Sequence, residues 1–167
     1  IRTNQIGEVM IVLSISEPIS EQISELFIEL KNRFSNIVSA YYAINMKKND
    51  SWFGLECCKV FGNEYLLEKM EHVTFQIGPK SFFQTNTFQA NILYNTIFDI
   101  IKSEYTKAIP LIFDLYCGTG SIGIFISELA SKIIGIEYVE SSISDANINT
   151  EINKINKGID ELRAFTL

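Results

Sequence analysis

Apolar positions change their period several times along the first half of this chain. Gly7 to Ser14 (Gly-Glu-Val-Met-Ile-Val-Leu-Ser) is β-branched and apolar, which predicts a strand. From Ile19 the spacing becomes three and four, through Ile23, Leu26, Phe27, Leu30 and Phe34, and predicts a helix. Pro18 suits its first turn, and Glu17 and Glu21 suit its positive end. Asn36 to Met46 predicts a second strand, closed by the polar turn Lys47-Lys-Asn-Asp-Ser51. Between Trp52 and Ile77 the pattern breaks into short strands, separated at Gly62-Asn63 and near Glu71. Strand, helix and β-meander together predict a small α+β unit.

At Gly78-Pro79 the pattern changes. The loop Lys80-Ser-Phe-Phe-Gln-Thr-Asn86 leads into a predicted helix with Phe88, Ile92, Leu93, Ile97 and Ile100 on one side, and Asn86 is placed to cap it. A strand at 109–116 follows, then a helix at 121–131 carrying Ile122, Ile124, Phe125 and Leu129, and a strand at 132–137. The next predicted helix, 141–156, opens on Ser142 and Asp145 at capping-box spacing. Residues Ile159 to Leu167 read as a short strand or a frayed end. Alternating α and β elements imply a parallel sheet with crossover helices.

Bulk properties narrow the class. Over 167 residues the chain is 47% apolar, and its mean hydropathy of +0.13 belongs to a core-forming sequence. No apolar run approaches the roughly 18–20 residues of a membrane span, and the start lacks the succession of a secretory signal. A net charge of −6 argues against strong nucleic-acid binding by this stretch alone. The three cysteines form no C-x-x-C pair, and neighbours Cys57 and Cys58 would point to opposite faces of a strand, so no metal site is predicted. This usage implies a reduced, cytoplasmic setting. His72, the single histidine, has no ligand or catalytic set around it in sequence.

The chemistry concentrates at Asp114-Leu-Tyr-Cys-Gly-Thr-Gly-Ser-Ile-Gly123, entered from the apolar run Ile109 to Phe113. A strand, a glycine turn and a helix start in that order build a nucleotide-type ligand site, where Gly118 and Gly120 allow close backbone approach. Glu137 ends the next strand about 20 residues on, placed to accept hydrogen bonds from both hydroxyls of a ribose. NAD and S-adenosylmethionine both carry such a ribose. Asp114 before the turn favours the second, because a carboxylate there receives an amino group, directly or through water. The long segment ahead of the turn and the flat ring of Tyr116 beside it point the same way.

Ser81-Phe-Phe-Gln-Thr-Asn86, Gln89-Ala, Leu93-Tyr94, Asp114-Leu-Tyr-Cys-Gly-Thr-Gly and Gly135-Ile-Glu-Tyr-Val-Glu140 resemble the RNA (uracil-5-) methyltransferase family, over about residues 1–155. The opening Ile1-Arg-Thr-Asn with Gly7-Glu-Val-Met resembles that family's central domain. The resemblance implies an α+β region at 1–80, a small β-rich central domain, followed at 81–167 by the N-terminal half of a Rossmann-like α/β methyltransferase domain. It implies that Gln84, Tyr116 and Ser121 line bound S-adenosyl-L-methionine, that Glu137 takes the ribose, and that Cys117 is a packing residue. It further implies rRNA or tRNA as the partner of the intact enzyme.

In that family a cysteine thiolate adds to carbon 6 of uracil, carbon 5 takes the methyl group, and a carboxylate removes the carbon 5 proton before the cysteine is expelled. The family places those residues, and its Asp-Pro-Pro-Arg motif, later than Leu167. The expectation is therefore a fragment that carries the methyl-donor site, holds no catalytic residue, does not turn over alone, and self-associates through exposed apolar surface. Two alternatives stand beside it: an NAD(P)-dependent oxidoreductase fragment, resting on Gly118-x-Gly-x-x-Gly123 with Glu137, and a non-catalytic binding or assembly module.

Overall fold

The chain folds as two units in a computed structural model that describes residues 1–17, 20–47, 52, 54–155 and 159–164. One unit holds 1–66 and 78–80, and the other holds 67–77 and 81–167.

In the first unit β1 (Arg2–Thr3), β2 (Val9–Ile15), β3 (Ile37–Ile44) and β4 (Cys58–Gly62) form a sheet in the order β1-β2-β3-β4. The central pair, β2 and β3, is parallel, and the outer pairs are antiparallel. Helix α1 (Ser20–Arg33) makes the crossover between the parallel strands, as parallel neighbours require. It buries Ile23 and Phe27 against Ala40, with Ile11, Leu13, Ile15, Leu30, Tyr42, Val60 and Phe61 packed around them. The predicted stripe is wider than the buried one. Leu26 lies on the flank of that face and Phe34 lies beyond the last helical residue, and both are exposed. Gly62 ends β4 at φ +81°, where a Cβ would lie 2.0 Å from the Val38 carbonyl oxygen, so the break at Gly62-Asn63 is a steric requirement. Pro18, Ile19 and positions 48–51 of the predicted turn lie outside the described residues.

Strands β5 (Leu66–Met70) and β6 (Val73–Ile77) pair around the two-residue turn Glu71-His72. All of this hairpin except Leu66 groups with the second unit, although the sequence pattern places it with the first. Its side chains and backbone explain the grouping: His72 Nε2 and the Phe125 carbonyl are 3.1 Å apart, and Thr74 and Gln76 are bonded through their backbones to Asn153 and Asn149.

The second unit then continues with α2 (Thr87–Glu104), β7 (Ile112–Leu115), α3 (Ser121–Phe125), β8 (Ile133–Glu137), α4 (Glu140–Ile152) and β9 (Ile159–Ala164). Strands β7, β8 and β9 form a parallel sheet in that order, with Asp114 opposite Gly135 and Leu115 opposite Ile136. The architecture is thus a mixed α+β, β-rich region followed by a Rossmann-like α/β fold. Among the described residues, no helix is long and apolar enough to cross a membrane.

Three predicted elements differ in the structure. Helix α2 buries Ala90 and Tyr94, while Phe88, Ile92, Leu93 and Ile100 of the predicted face are exposed. The helix is apolar on both sides, and the choice is made by the Tyr94 ring against Phe125 and its hydroxyl on Ser121. The helix expected at 121–131 stops at Phe125 and resumes as a single 3₁₀ turn, Ser127–Leu129. Ile124, Phe125 and Ile126 are all buried, so the chain stays in the core through the break. Finally, α4 has no side-chain cap from Ser142 or Asp145. The Glu137 carboxylate takes the amides ahead of it instead, and Asp145 accepts a hydrogen bond from Ser81.

Candidate functional site

The chain leaves β7 at Tyr116 with φ +59°, turns through Gly118 at φ +55° and Gly120 at φ +76°, and enters α3 at Ser121. The Cys117 N–H donates to the Ile136 carbonyl at 3.1 Å, which holds the turn against the end of β8. Three glycines serve three ends here. A Cβ on Gly118 would meet nothing within 4 Å, so this side of the turn faces open space. On Gly120 it would lie 3.2 Å from both Ala146 Cβ and Ile124 Cδ1, so glycine lets α4 approach the turn. On Gly123 it would lie 2.9 Å from Asp114 Oδ2.

Asp114 uses that last space. Its Oδ2 accepts the Gly123 N–H at 3.0 Å, which ties the strand to the first turn of α3. Burial raises its carboxyl above the ordinary value, and the Gly123 bond offsets part of the rise. Glu137 performs the matching role from β8. Its Oε2 accepts the Gly118 N–H at 3.0 Å, and its Oε1 accepts those of Tyr138 and Val139 at 2.8 and 2.9 Å. A carboxylate offers about four lone-pair positions, so about one remains, on Oε2.

Cys117 lies behind the turn, 7% exposed. Burial, reinforced by the charges of Asp114 and Glu137, pushes its thiol up to about 12. At neutral pH it is a protonated packing residue with no nucleophilic character. Ser121 meets Tyr94, with the two hydroxyl oxygens 2.8 Å apart.

Gln84 sits on a short arm fixed at both ends. Ser81 is buried and donates to Asp145 Oδ2, and Phe83 is buried against Phe75 with ring centroids 5.3 Å apart. At the other end, Thr87 Oγ1 donates to the buried Glu68 carboxylate at 3.1 Å, and Asn86 Oδ1 caps α2 by accepting the Gln89 N–H at 3.0 Å. Gln84 itself is exposed, and Tyr116 is 90% exposed.

The structure therefore joins Asp114, Gly118, Gly120 and Glu137 in one hydrogen-bonded turn, with Ser121 next to it, and leaves Gln84 and Tyr116 projecting into solvent. Sequence reasoning missed Tyr94 as the partner of Ser121 and Asp145 as that of Ser81. It also missed the pair Asn149 and Asn153, whose spacing of four on a helix was visible. His72 carries a packing role, its ring 5.0 Å from that of Phe125. Among the described residues no group of three or more His, Cys, Asp or Glu side chains could hold a metal ion.

A parallel sheet with a glycine turn and an acidic residue ending the next strand defines a nucleotide-type α/β site. Residues 3–163 match the family described as tRNA (Uracil-5-)-methyltransferase, and the chain belongs to that family. It is 39% identical over 165 residues to an uncharacterized RNA methyltransferase of Bacteroides thetaiotaomicron, which covers 95% of this chain and 35% of that protein. A protein of the same description from Porphyromonas gingivalis is 40% identical over 157 residues, 93% of this chain and 33% of that protein. Among solved structures, the Pyrococcus abyssi tRNA (uracil-54, C5)-methyltransferase in complex with S-adenosyl-L-homocysteine superposes with a TM-score of 0.72 at 26% identity. That match covers 98% of this chain and 38% of the other. The chain thus spans about a third of the length of the curated relatives it matches.

Proposed function

We propose that the turn from Asp114 to Gly123, with Glu137, binds S-adenosylmethionine and forms the methyl-donor half of an RNA (uracil-5-)methyltransferase. The observation that carries this is Glu137, which ends β8 and grips the Gly118 amide with Oε2 while that oxygen keeps about one further acceptor position. A ribose hydroxyl suits that position. Asp114 suits the amino group of the donor, and Gln84 and Ser121 supply further polar contacts. The exposed ring of Tyr116 offers a flat surface to the adenosine and sulfonium. The donor supplies an electrophilic methyl group, and the residues of this chain bind and orient it. In the whole protein the acceptor is a uridine of rRNA or tRNA, a reading supported by the family and by the Pyrococcus abyssi structure. The free cysteines Cys57, Cys58 and Cys117 suit a reduced, cytoplasmic setting.

Isothermal titration of the chain with S-adenosylhomocysteine and with NADH tests this. Binding of the first and not the second is expected. Glu137→Ala, which removes charge-assisted hydrogen bonds worth roughly 1.5–3 kcal/mol each, should weaken that binding at least about tenfold. Unchanged affinity in a folded variant removes Glu137 from the site, and NADH binding without a response to S-adenosylhomocysteine overturns the donor reading.

A further inference from the structure

Tyr94 lies two turns into α2, almost fully buried, with its ring edge-on to Phe125 at 5.6 Å between centroids. A buried phenol needs a partner for its hydroxyl, and this one lies 2.8 Å from Ser121 Oγ. Ser121 is the first residue of α3, immediately after the glycine turn.

We propose that Tyr94 is a positioning residue: it donates its hydrogen to Ser121 Oγ, so that the serine hydrogen is directed to the carboxylate at the amino-acid end of the bound donor. The inference rests on reading the glycine turn as a methyl-donor site. The phenol is the stronger acid of the two hydroxyls and therefore the better donor. A serine hydroxyl carries one hydrogen and two acceptor positions, so accepting from Tyr94 costs it no donor capacity. A chain of two hydroxyls ending on an anion polarises in one direction, and each bond strengthens the next. Burial, partly offset by the Ser121 bond, and the charge of Asp114 keep the Tyr94 hydroxyl protonated, with its pKa above the ordinary phenol value.

The orientation of the ligand follows from what flanks Glu137. With the ribose at the end of β8, the exposed apolar side chains of Tyr138 and Val139 suit the adenine. The charged amino-acid end needs polar partners, and the turn leaving β7 offers Asp114 for the ammonium group and Ser121 for the carboxylate.

The test measures two ligands against four proteins, the chain itself, Tyr94→Phe, Ser121→Ala and the double variant, and adds Ser121→Thr as a fifth for rescue. S-Adenosylhomocysteine has the amino-acid end, whereas 5′-methylthioadenosine keeps the adenosine and thioether without it. Tyr94→Phe is expected to weaken S-adenosylhomocysteine about three- to tenfold. In the Ser121→Ala background it should add less than about twofold, because the partner it acts through is gone. 5′-Methylthioadenosine should bind all four proteins within about twofold, and Ser121→Thr should restore S-adenosylhomocysteine affinity. Equal weakening of both ligands, additive losses, or no loss in Tyr94→Phe overturns the inference while the donor site stands. If Tyr94→Phe fails to fold, Ser121→Ala must still discriminate between the two ligands, and equal binding losses overturn the proposal. A chain that binds neither ligand overturns the donor-site reading, and this inference with it.

Discussion

Asn149 pairs with the backbone of Gln76 as a neighbouring strand would. Its Oδ1 accepts the Gln76 N–H at 2.7 Å, and its Nδ2 donates to the Gln76 carbonyl at 3.4 Å. Asn153 repeats the pattern on Thr74, at 2.8 and 2.7 Å. Four residues along a helix advance about 6 Å and two along a strand about 6.6 Å, so the two spacings match. Asn149 also donates to the Thr119 carbonyl at 3.3 Å, which brings the glycine turn into the same bracket.

Removing that bracket should cost stability. Asn149→Ala leaves the Gln76 amide and carbonyl without their side-chain partner, at roughly 1–3 kcal/mol for each unpaired group. A loss of about 2–4 kcal/mol in urea unfolding is expected on that basis. A loss under about 0.5 kcal/mol, within the range of ordinary surface substitutions, would show that water replaces the asparagine.

Gly123→Ala drives a methyl group into Asp114 Oδ2. Either the carboxylate moves or α3 does, and the bond between them lengthens. Overpacking of this kind costs about 1–3 kcal/mol. The melting temperature should fall and S-adenosylhomocysteine binding should weaken with it; a variant with wild-type values for both would show that the contact relaxes freely.

Asp114→Asn should separate stability from binding. The Asp114 carboxyl is raised by burial, so the folded state holds its proton more tightly than the unfolded chain does. Stability from this group is present below the unfolded pKa and lost as pH rises through the folded value. The neutral amide avoids that loss. Its urea midpoint should equal that of the parent below pH 4 and exceed it at pH 7, while ligand affinity falls. An unchanged midpoint at pH 7 would contradict the burial argument.

Cys117 obeys the same sign at higher pH. With its thiol at about 12 in the fold and near 8.5 in an unfolded chain, its contribution is present below pH 8.5 and lost between the two values. Brief alkylation at pH 8 followed by mass spectrometry should label the exposed Cys58 and leave Cys117 untouched. Equal labelling would mean that the turn opens readily.

Most strands, and the glycine turn with Glu137, were legible because period-two runs and glycine punctuation are local signals. Gln84 became a candidate only through the motif around it, since an exposed loop glutamine carries no physical mark. The inward face of α2 was illegible: apolar residues cover both sides, and the deciding contact, Tyr94 with Ser121, spans 27 positions. The early stop of α3 after Phe125 carries no local mark, since neither glycine nor proline follows in Ile126 to Lys132. Likewise, the capping-box pattern at Ser142 and Asp145 is genuine in spacing, but Ser81, 64 positions away, claims the carboxylate.

Tyr116 holds a backbone conformation that costs a residue with a side chain about 1–2 kcal/mol and glycine almost nothing. Two neighbouring positions in the turn already hold glycine, so the chain keeps a ring there at the expense of its own folding free energy. Relaxing that bend with Tyr116→Gly would yield a sturdier protein with a blunter site. On this view the turn stores local strain in order to present an aromatic face to solvent before any ligand arrives.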